Sequence, residues 1–541
     1  MWKKFFVIIL SSGVLILLYL SSSKKAQEDF SASQTNKYGG TLVVGMTEDV
    51  DSFNPLFSMT VASEEISDLI LLDLADMDEH SELVPELAQS WEFSEDRLEL
   101  IYHLRKDARW ADGFPITAED VKFTLDLLAD SLVASPKMGA MDFVKEVIAI
   151  DSHTVKIRFT EAYPYQVLDT AGKILPKHLL QNVPRNQIRT HPIGREPLAS
   201  GPFKLKRWIS QQYLELVPNE AYYGGRPYLD RVVFKIVPDM TNLLVQLHTG
   251  EVDMMVGVPP QEVQRLKEKN QHIKIYPVSG RVYYYIGWNE KNKLFQSRKV
   301  RRALTMAIDR RGIIEALLYG YGKPCLGPLS PIIPWAYNET IQEIPFDPIL
   351  AKKILIEEGW KDLDGDGWLD KEGTTFQFTL KTNAGNPLRA DLTVVIQDQL
   401  KKLGIKVTPQ LVEWNSFLDD QRRGNFDAYL SGWSISLFID PTPIFHSFSV
   451  NLFNYVSYSN PEVDRLIEQG RAELDRDKAA PIWHRFQELV YADQPYTFLF
   501  WMDRLVAVHQ RFQNVKPIPL SAFYQIEKWY VQPESGKNHS R

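Results

Sequence analysis

The sequence predicts an α/β protein folded as two lobes joined by strands, with a ligand held between them, and two stretches carry that prediction. From Val232 to Tyr276 the apolar spacing reads as a strand (VVFKIV), a helix (Met240 to His248), a strand (Asp253 to Val256), a helix (Pro260 to Lys269) and a strand (Ile273 to Tyr276). Gly250 stands where the first helix should stop. From Arg389 to Trp433 the alternation returns: a helix ending at Gly404, the strand IKVTPQLV, a helix from Ser416 to Arg423 closed by Gly424, and a strand from Asp427 to Ser431. Alternating strands and helices build layered α/β domains, and the cleft between two such bodies is a usual ligand site. The composition agrees, because 541 residues can bury several cores and fractions of 44% hydrophobic and 24% charged are those of an ordinary folded protein.

Taken in order, the chain opens with Lys3 and Lys4 before an uncharged apolar run from Phe5 to Leu20, so residues 1–26 read as a signal peptide or N-terminal anchor and export is expected. The run falls short of the ~20 residues of a comfortable membrane span, which favours the signal. Residues 27–37 are a polar linker, and order begins at Gly39-Gly40-Thr41, leading into the strand Leu42 to Gly45.

Between Leu87 and Leu125, Leu98, Leu100, Tyr102 and Leu104 alternate with Glu99, Ile101, His103 and Arg105, the period of a half-buried strand. Trp110-Ala111-Asp112-Gly113 then reads as an exposed aromatic turn. Thr117 followed by Asp120 forms a capping box for a helix carrying Val121, Leu125 and Leu128. Further helices start at Ser297 (Val300, Leu304 and Ala307 as its stripe), at Asp347-Pro348 with Gly359 as its stop, at Asn460-Pro461, and at Asp475 with Ile482, Phe486, Leu489 and Val490 on one side.

Composition excludes several classes. A formal charge of −8 gives no reason to expect nucleic acid as a partner. Cys325 alone makes no internal disulfide and no zinc or iron–sulfur framework, and is read as a small buried hydrophobe. The eleven histidines form no metal pattern, and no nucleophile elbow, phosphate loop or dinucleotide fingerprint occurs, so no catalytic residue is nominated. In DLDGDGWLDKEG, Asp362, Asp364, Asp366 and Asp370 fall at positions one, three, five and nine of a calcium loop, with Gly367 at six. Gly373 occupies position twelve, where a bidentate Glu is needed. The segment is therefore a weak Ca²⁺ loop or a solvated Asp-Gly hairpin, and the hairpin is the preferred reading.

The whole Leu87–Leu125 unit resembles the signature segment of the extracellular solute-binding proteins that serve peptide and nickel ABC transporters. ASGPFKL from Ala199, LHTGEVDMM from Leu247 and YIGWNEKNKLFQSRKVRRALTMAIDR from Tyr285 are similar to further segments of that family, so the resemblance spans roughly residues 38–531. It implies the two-lobed periplasmic-binding-protein fold, α/β with mixed sheets and a hinge, and an extra inserted subdomain. On that analogy lobe I comprises residues 38–76, 196–282 and 501–534, the insert residues 77–195, lobe II residues 283–500, and a tail follows at 535–541. It also implies capture of an oligopeptide or similar small solute, delivery to an ABC permease with its ATPase subunits, and a monomer.

For the site, the resemblance points to the loop LSGWSISLFIDPTPIFHSF from Leu430. Family members use a Trp and an Asp here, the Asp holding the ligand's ammonium group. Trp433 matches the Trp, whereas the position of the Asp holds Leu437, which leaves Asp440 as the alternative anchor or a turn cap before Pro441. Ser434 and Ser436 lie on the same loop. Tyr283, Tyr284 and Tyr285 alternate faces of one strand, so at least one should meet the cleft, with Tyr285 as the candidate. Trp414 and Phe57 are candidates by family position, with core packing as their other reading. Non-peptide ligands (an oligosaccharide or a nickel complex), a membrane-tethered sensor or chaperone, and a hydrolase on the same scaffold are the alternatives.

Overall fold

The computed structural model describes residues 37–450 and 452–532. The expected signal or anchor, the linker apart from Lys37, and the tail at 535–541 lie outside the described residues.

One sheet of eleven strands runs through the molecule. Ten of them follow the order Lys406–Val412, Gln377–Asn383, Ala428–Ser434, Ile273–Trp288, Tyr496–His509, Met254–Val256, Thr41–Met46, Arg231–Ile236, Tyr213–Pro218, Phe203–Ile209. The short strand Gly322–Pro324 pairs with Tyr496–His509 off this path. Thr41–Met46 is parallel to both Arg231–Ile236 and Met254–Val256. At the other end Gln377–Asn383 is parallel to Lys406–Val412 and Ala428–Ser434.

The two parallel groups are tied together by two long antiparallel strands, Ile273–Trp288 of 16 residues and Tyr496–His509 of 14. Both are rich in the β-branched and aromatic residues that pack well on a pleated surface. Their ladder breaks between Val278 and Val282. Residues Tyr283 to Trp501 form one hydrophobic core, and Val278 and Val506 belong to another that gathers Leu42, Phe234 and Trp529. The break therefore lies where one lobe hands over to the next.

The predicted strand Ile273 to Tyr276 is the start of this 16-residue strand. Pro277 and Gly280 look like terminators in sequence. Proline is tolerated at 277 because residues 273–278 pair on one side only, with Tyr496–His509, so the missing N–H disrupts no central ladder.

Between the first strands and the rest of that lobe sits a four-stranded antiparallel sheet, ordered Ala88–Phe93, Glu99–Leu104, Thr154–Phe159, Val144–Asp151, and covered by the helix Ala118–Ala129. Glu99–Leu104 alternates partly buried and buried positions as its period requires. The capping box is present, with the Thr117 N–H donating to Asp120 Oδ2 at 2.9 Å. The aromatic turn corrects one expectation. Trp110 is fully buried, because the Trp110 N–H bonds the Phe114 carbonyl (2.9 Å) and the tightened turn leaves Phe114, 55% exposed, on the outside. No described helix is long and apolar enough to cross a membrane.

Candidate functional site

In an open α/β sheet ligands bind outside the carboxyl ends of the parallel strands. Here there are two such edges and they face one place. In the first lobe the parallel strands end at Met46, Ile236 and Val256, and Val256 pairs with Val506, two residues from Arg504. In the second lobe they end at Asn383, Val412 and Ser434, and Ser434 pairs with Val282. Both edges converge on the ladder break at 278–282 and 502–504.

Two cavities flank this convergence and a third lies beyond them. On the first lobe a hollow of about 210 Å³ is walled by Gly45 to Glu48, Val256, Gly257, Glu65 and Arg504. Arg504 clasps Glu65 through both guanidinium ends (2.5 and 2.9 Å), and Glu65 also accepts the Ala522 N–H. On the second lobe a cavity of about 160 Å³ is lined by Tyr283, Trp433, Ser434, Ser436, Ile439, Asp440 and Phe445. A larger one, about 590 Å³, lies between the four-stranded insert and the second lobe, among Trp91, Phe93, Arg97, Tyr165, Trp335, Leu437 and Trp483.

Contacts cross this last gap. The Tyr165 hydroxyl donates to the Ile439 carbonyl (3.2 Å) and accepts its N–H (2.7 Å), Arg97 Nη1 donates to the Leu474 carbonyl (3.3 Å), and Arg476 pairs with Glu82 while lying 5.4 Å over the Trp335 ring.

The structure brings four predicted residues together. Trp433 is half-buried, lies opposite Tyr283 in register, and stacks parallel to Tyr285 at 6.4 Å and 5°. Its indole N–H makes no hydrogen bond among the described residues. Ser434 and Ser436 are exposed on the cavity rim, and Ser436 Oγ closes a turn with Phe438 at 3.2 Å. Asp440 combines both readings, since it lines the cavity yet accepts the Thr442 N–H (3.0 Å) and faces Arg471 at 3.5 Å.

Three predicted residues lie elsewhere. Tyr285 is 1% exposed and is sandwiched between Tyr496 (4.0 Å, stacked) and Tyr429, because the sheet continues on both sides of its strand; Tyr283 is the residue of the triplet that meets the cavity. Burial holds the Tyr285 hydroxyl far above its ordinary pKa. Trp414 opens the helix Trp414–Arg423 and is 46% exposed, lining none of the three cavities. Phe57 packs with Leu56, Phe123 and Leu175 in a separate cluster under Arg189, where the first lobe meets the insert.

In the acidic loop the carboxylates of Asp362, Asp364, Asp366 and Asp370 come within 4.8 Å of one another. Asp362 accepts the N–H groups of Gly365 (2.7 Å) and Gly367 (3.1 Å), and Asp370–Lys371 pairs with Thr374–Thr375 as a short hairpin. Loop and hairpin therefore coexist.

Sequence reasoning missed Glu65, Arg281, Arg504 and Trp335. For Arg281 a signal existed, since Ser279-Gly280-Arg281 interrupts an otherwise continuous β pattern; the others lie on ordinary helix, strand and loop patterns.

Residues 82–454 match the family described as bacterial extracellular solute-binding proteins, family 5 Middle. The chain is 36% identical over 532 residues to the oligopeptide-binding protein AppA of Bacillus subtilis, covering 97% of this chain and 96% of that one. It is 27% identical over 440 residues to the heme-binding protein A of Haemophilus influenzae, covering 77% and 78%. Among solved structures it is similar to AppA of Bacillus subtilis in complex with a nonapeptide (TM-score 0.70, 36% identity, 92% and 100% coverage). NikZ of Campylobacter jejuni in complex with Ni(L-His) is a further likeness (TM-score 0.72, 25% identity, 91% and 99%).

Proposed function

We propose a function from one premise: this chain belongs to the bacterial extracellular solute-binding proteins of family 5 and has their two-lobed α/β fold. It is the substrate-binding component of an ABC import system, capturing an oligopeptide or similar small solute between its lobes and handing it to a membrane permease powered by ATPase subunits. The observation that carries this reading is the convergence of two sets of strand carboxyl ends, one from each lobe, on the broken ladder at 278–282. A ligand there touches both lobes at once, so it binds the closed arrangement better than the open one, and that difference alone shifts the population. Micromolar capture corresponds to about −8 kcal/mol. Aromatic residues of two neighbouring cavities, Trp433 and Tyr283 in one and Trp91, Trp335 and Trp483 in the other, supply apolar contact.

The lobe boundaries at 282/283 and 500/501, export through residues 1–26, a monomeric state and the absence of a catalytic role belong to the same proposal. The peptide class rests on the AppA likeness. The acidic loop would bind Ca²⁺ weakly, with four carboxylates as donors and no side chain at Gly373 to complete them.

The test is native mass spectrometry of the protein purified from its host, followed by denaturing release of what it carries. A ladder of short peptides is expected. A sugar, a heme or a nickel complex as the bound species would refute the peptide class and leave solute capture standing.

A further inference from the structure

Arg281 lies inside the ladder break, at the point where both lobes present the carboxyl ends of their strands. Its carbonyl accepts the Ile435 N–H (2.9 Å), the first residue of the loop that walls the second-lobe cavity. Its side chain is half-buried, yet the guanidinium makes no hydrogen bond and no ion pair with any described residue. The nearby acid is Glu65, and Glu65 is already committed to both ends of Arg504 and to the Ala522 N–H. Arg504 is itself a like charge beside Arg281. Burial first, and the Arg504 charge second, push the Arg281 pKa below the ordinary arginine range.

An arginine partly withdrawn from water without an anion is costly, whereas a carboxylate meeting its planar fork through two parallel bonds removes that cost and fixes an orientation. The acids on the neighbouring walls do not fill the role, because Asp440 faces Arg471 and Glu82 faces Arg476. Glu48, on the rim of the first-lobe hollow, is exposed and free to meet an amine instead.

We propose that Arg281 is the anion anchor of the captured solute, taking a ligand carboxylate at the lobe junction. This rests on the solute-capture reading above and deepens it by naming the charge the ligand must carry. It makes Arg281 a ligand-binding residue that senses closure, since the carboxylate it holds lies between Arg504 of one lobe and the Ile435 loop of the other.

The experiment uses the full exported chain and three synthetic peptide pools of mixed length. One has free C-termini and no Asp or Glu, the second is the same pool amidated, and the third is amidated but contains Glu. Wild type is expected to bind the first pool roughly 10- to 100-fold more tightly than the second. Arg281→Gln should abolish that difference while leaving the second pool's affinity unchanged, and Arg281→Lys should keep part of it. Preference for the third pool over the second, also lost in Arg281→Gln, would place the carboxylate on a ligand side chain and not its terminus.

Melting of the ligand-free protein separates anchoring from architecture. Arg281→Gln should melt at or above the wild-type temperature, because it removes an uncompensated charge. A lower melting temperature, equal weakening of all pools, or no carboxylate preference in wild type would overturn the inference while the capture reading stands. Wild type binding none of the pools would refute the peptide reading and the anchor together.

Discussion

Replacing Gly280 with alanine tests the junction directly. A Cβ built on Gly280 would lie 1.8 Å from the Met502 carbonyl oxygen and 3.0 Å from its carbon, and both are backbone atoms that cannot rotate away. An ordinary C···O approach is about 3.3 Å, so the two crossing strands must part locally by about 1.5 Å. That exceeds what an N–H···O bond of about 2.9 Å tolerates, so the ladder bonds flanking the break are lost. Two or three such bonds at about 1 kcal/mol each, with about 1–3 kcal/mol of overpacking strain, give a destabilisation of about 3–6 kcal/mol. Equilibrium denaturation in urea reads the loss, and small-angle X-ray scattering reads the interlobe angle with and without ligand. Gly172→Ala is the control, because nothing lies within 4 Å of its added Cβ and its backbone is not in the left-handed region. The control should be neutral or stabilising by about 0.4–1 kcal/mol. A Gly280→Ala protein with unchanged midpoint and unchanged scattering would refute the junction as described.

Three further outcomes are expected. Trp433→Ala should weaken capture of the free-acid peptide pool by about 30-fold, the effect of about 2 kcal/mol for a central aromatic anchor, and calorimetry finding full affinity would remove Trp433 from the site. Glu86 is half-buried near Asp73 and Asp76, and desolvation first holds its carboxyl well above its usual value, with Asp73 pushed up to about 7 beside it. A carboxyl raised in the fold contributes stability that is complete below its unfolded pKa and is lost as pH rises through the folded value. Glu86→Gln, which keeps an acceptor for the Asp73 N–H (2.7 Å), should therefore gain over wild type in melting temperature as pH rises above the ordinary glutamate range, and a gain that shrinks with pH would contradict this sign. Calcium should stabilise the protein only modestly: with a millimolar Kd, about 10 mM Ca²⁺ adds about 1.4 kcal/mol, and Asp364→Asn should erase the shift seen in thermal melts.

Much of the scaffold is legible in the sequence because its local signals agree with its tertiary role. The helix Pro260–Lys269 keeps its predicted bounds, and Met240–Thr249 stops at Gly250, which takes the left-handed conformation at φ +80°. Helices starting after Ser297, Asp347, Asn460 and Asp475 begin where their capping residues place them. Of the candidate site, Trp433, Ser434, Ser436 and Asp440 are legible because one contiguous loop carries them. Tyr285 is not, since alternation puts it on the same face as Tyr283 but does not say how far along that face the cavity reaches before Tyr429 and Tyr496 cover it. Phe57 and Trp414 fail for the same reason, as contacts between distant segments leave no local periodicity. The 16-residue strand is hidden by Pro277 and Gly280, two residues whose local preference is overruled by pairing on one side and by a close approach to Met502.

The strand Tyr496–His509 has a kinetic consequence. It is the central neighbour of both Ile273–Trp288 and Met254–Val256, and it comes from the last tenth of the sequence. Neither half of the sheet can close its ladder until that segment arrives, so most of the chain must wait for contacts more than two hundred residues away. High contact order of this kind slows folding. Under the export proposed above, with the N-terminus leading, the delay keeps the polypeptide threadable until its end is nearly through, and the strand that completes the hinge is also the one that commits the protein to its folded state.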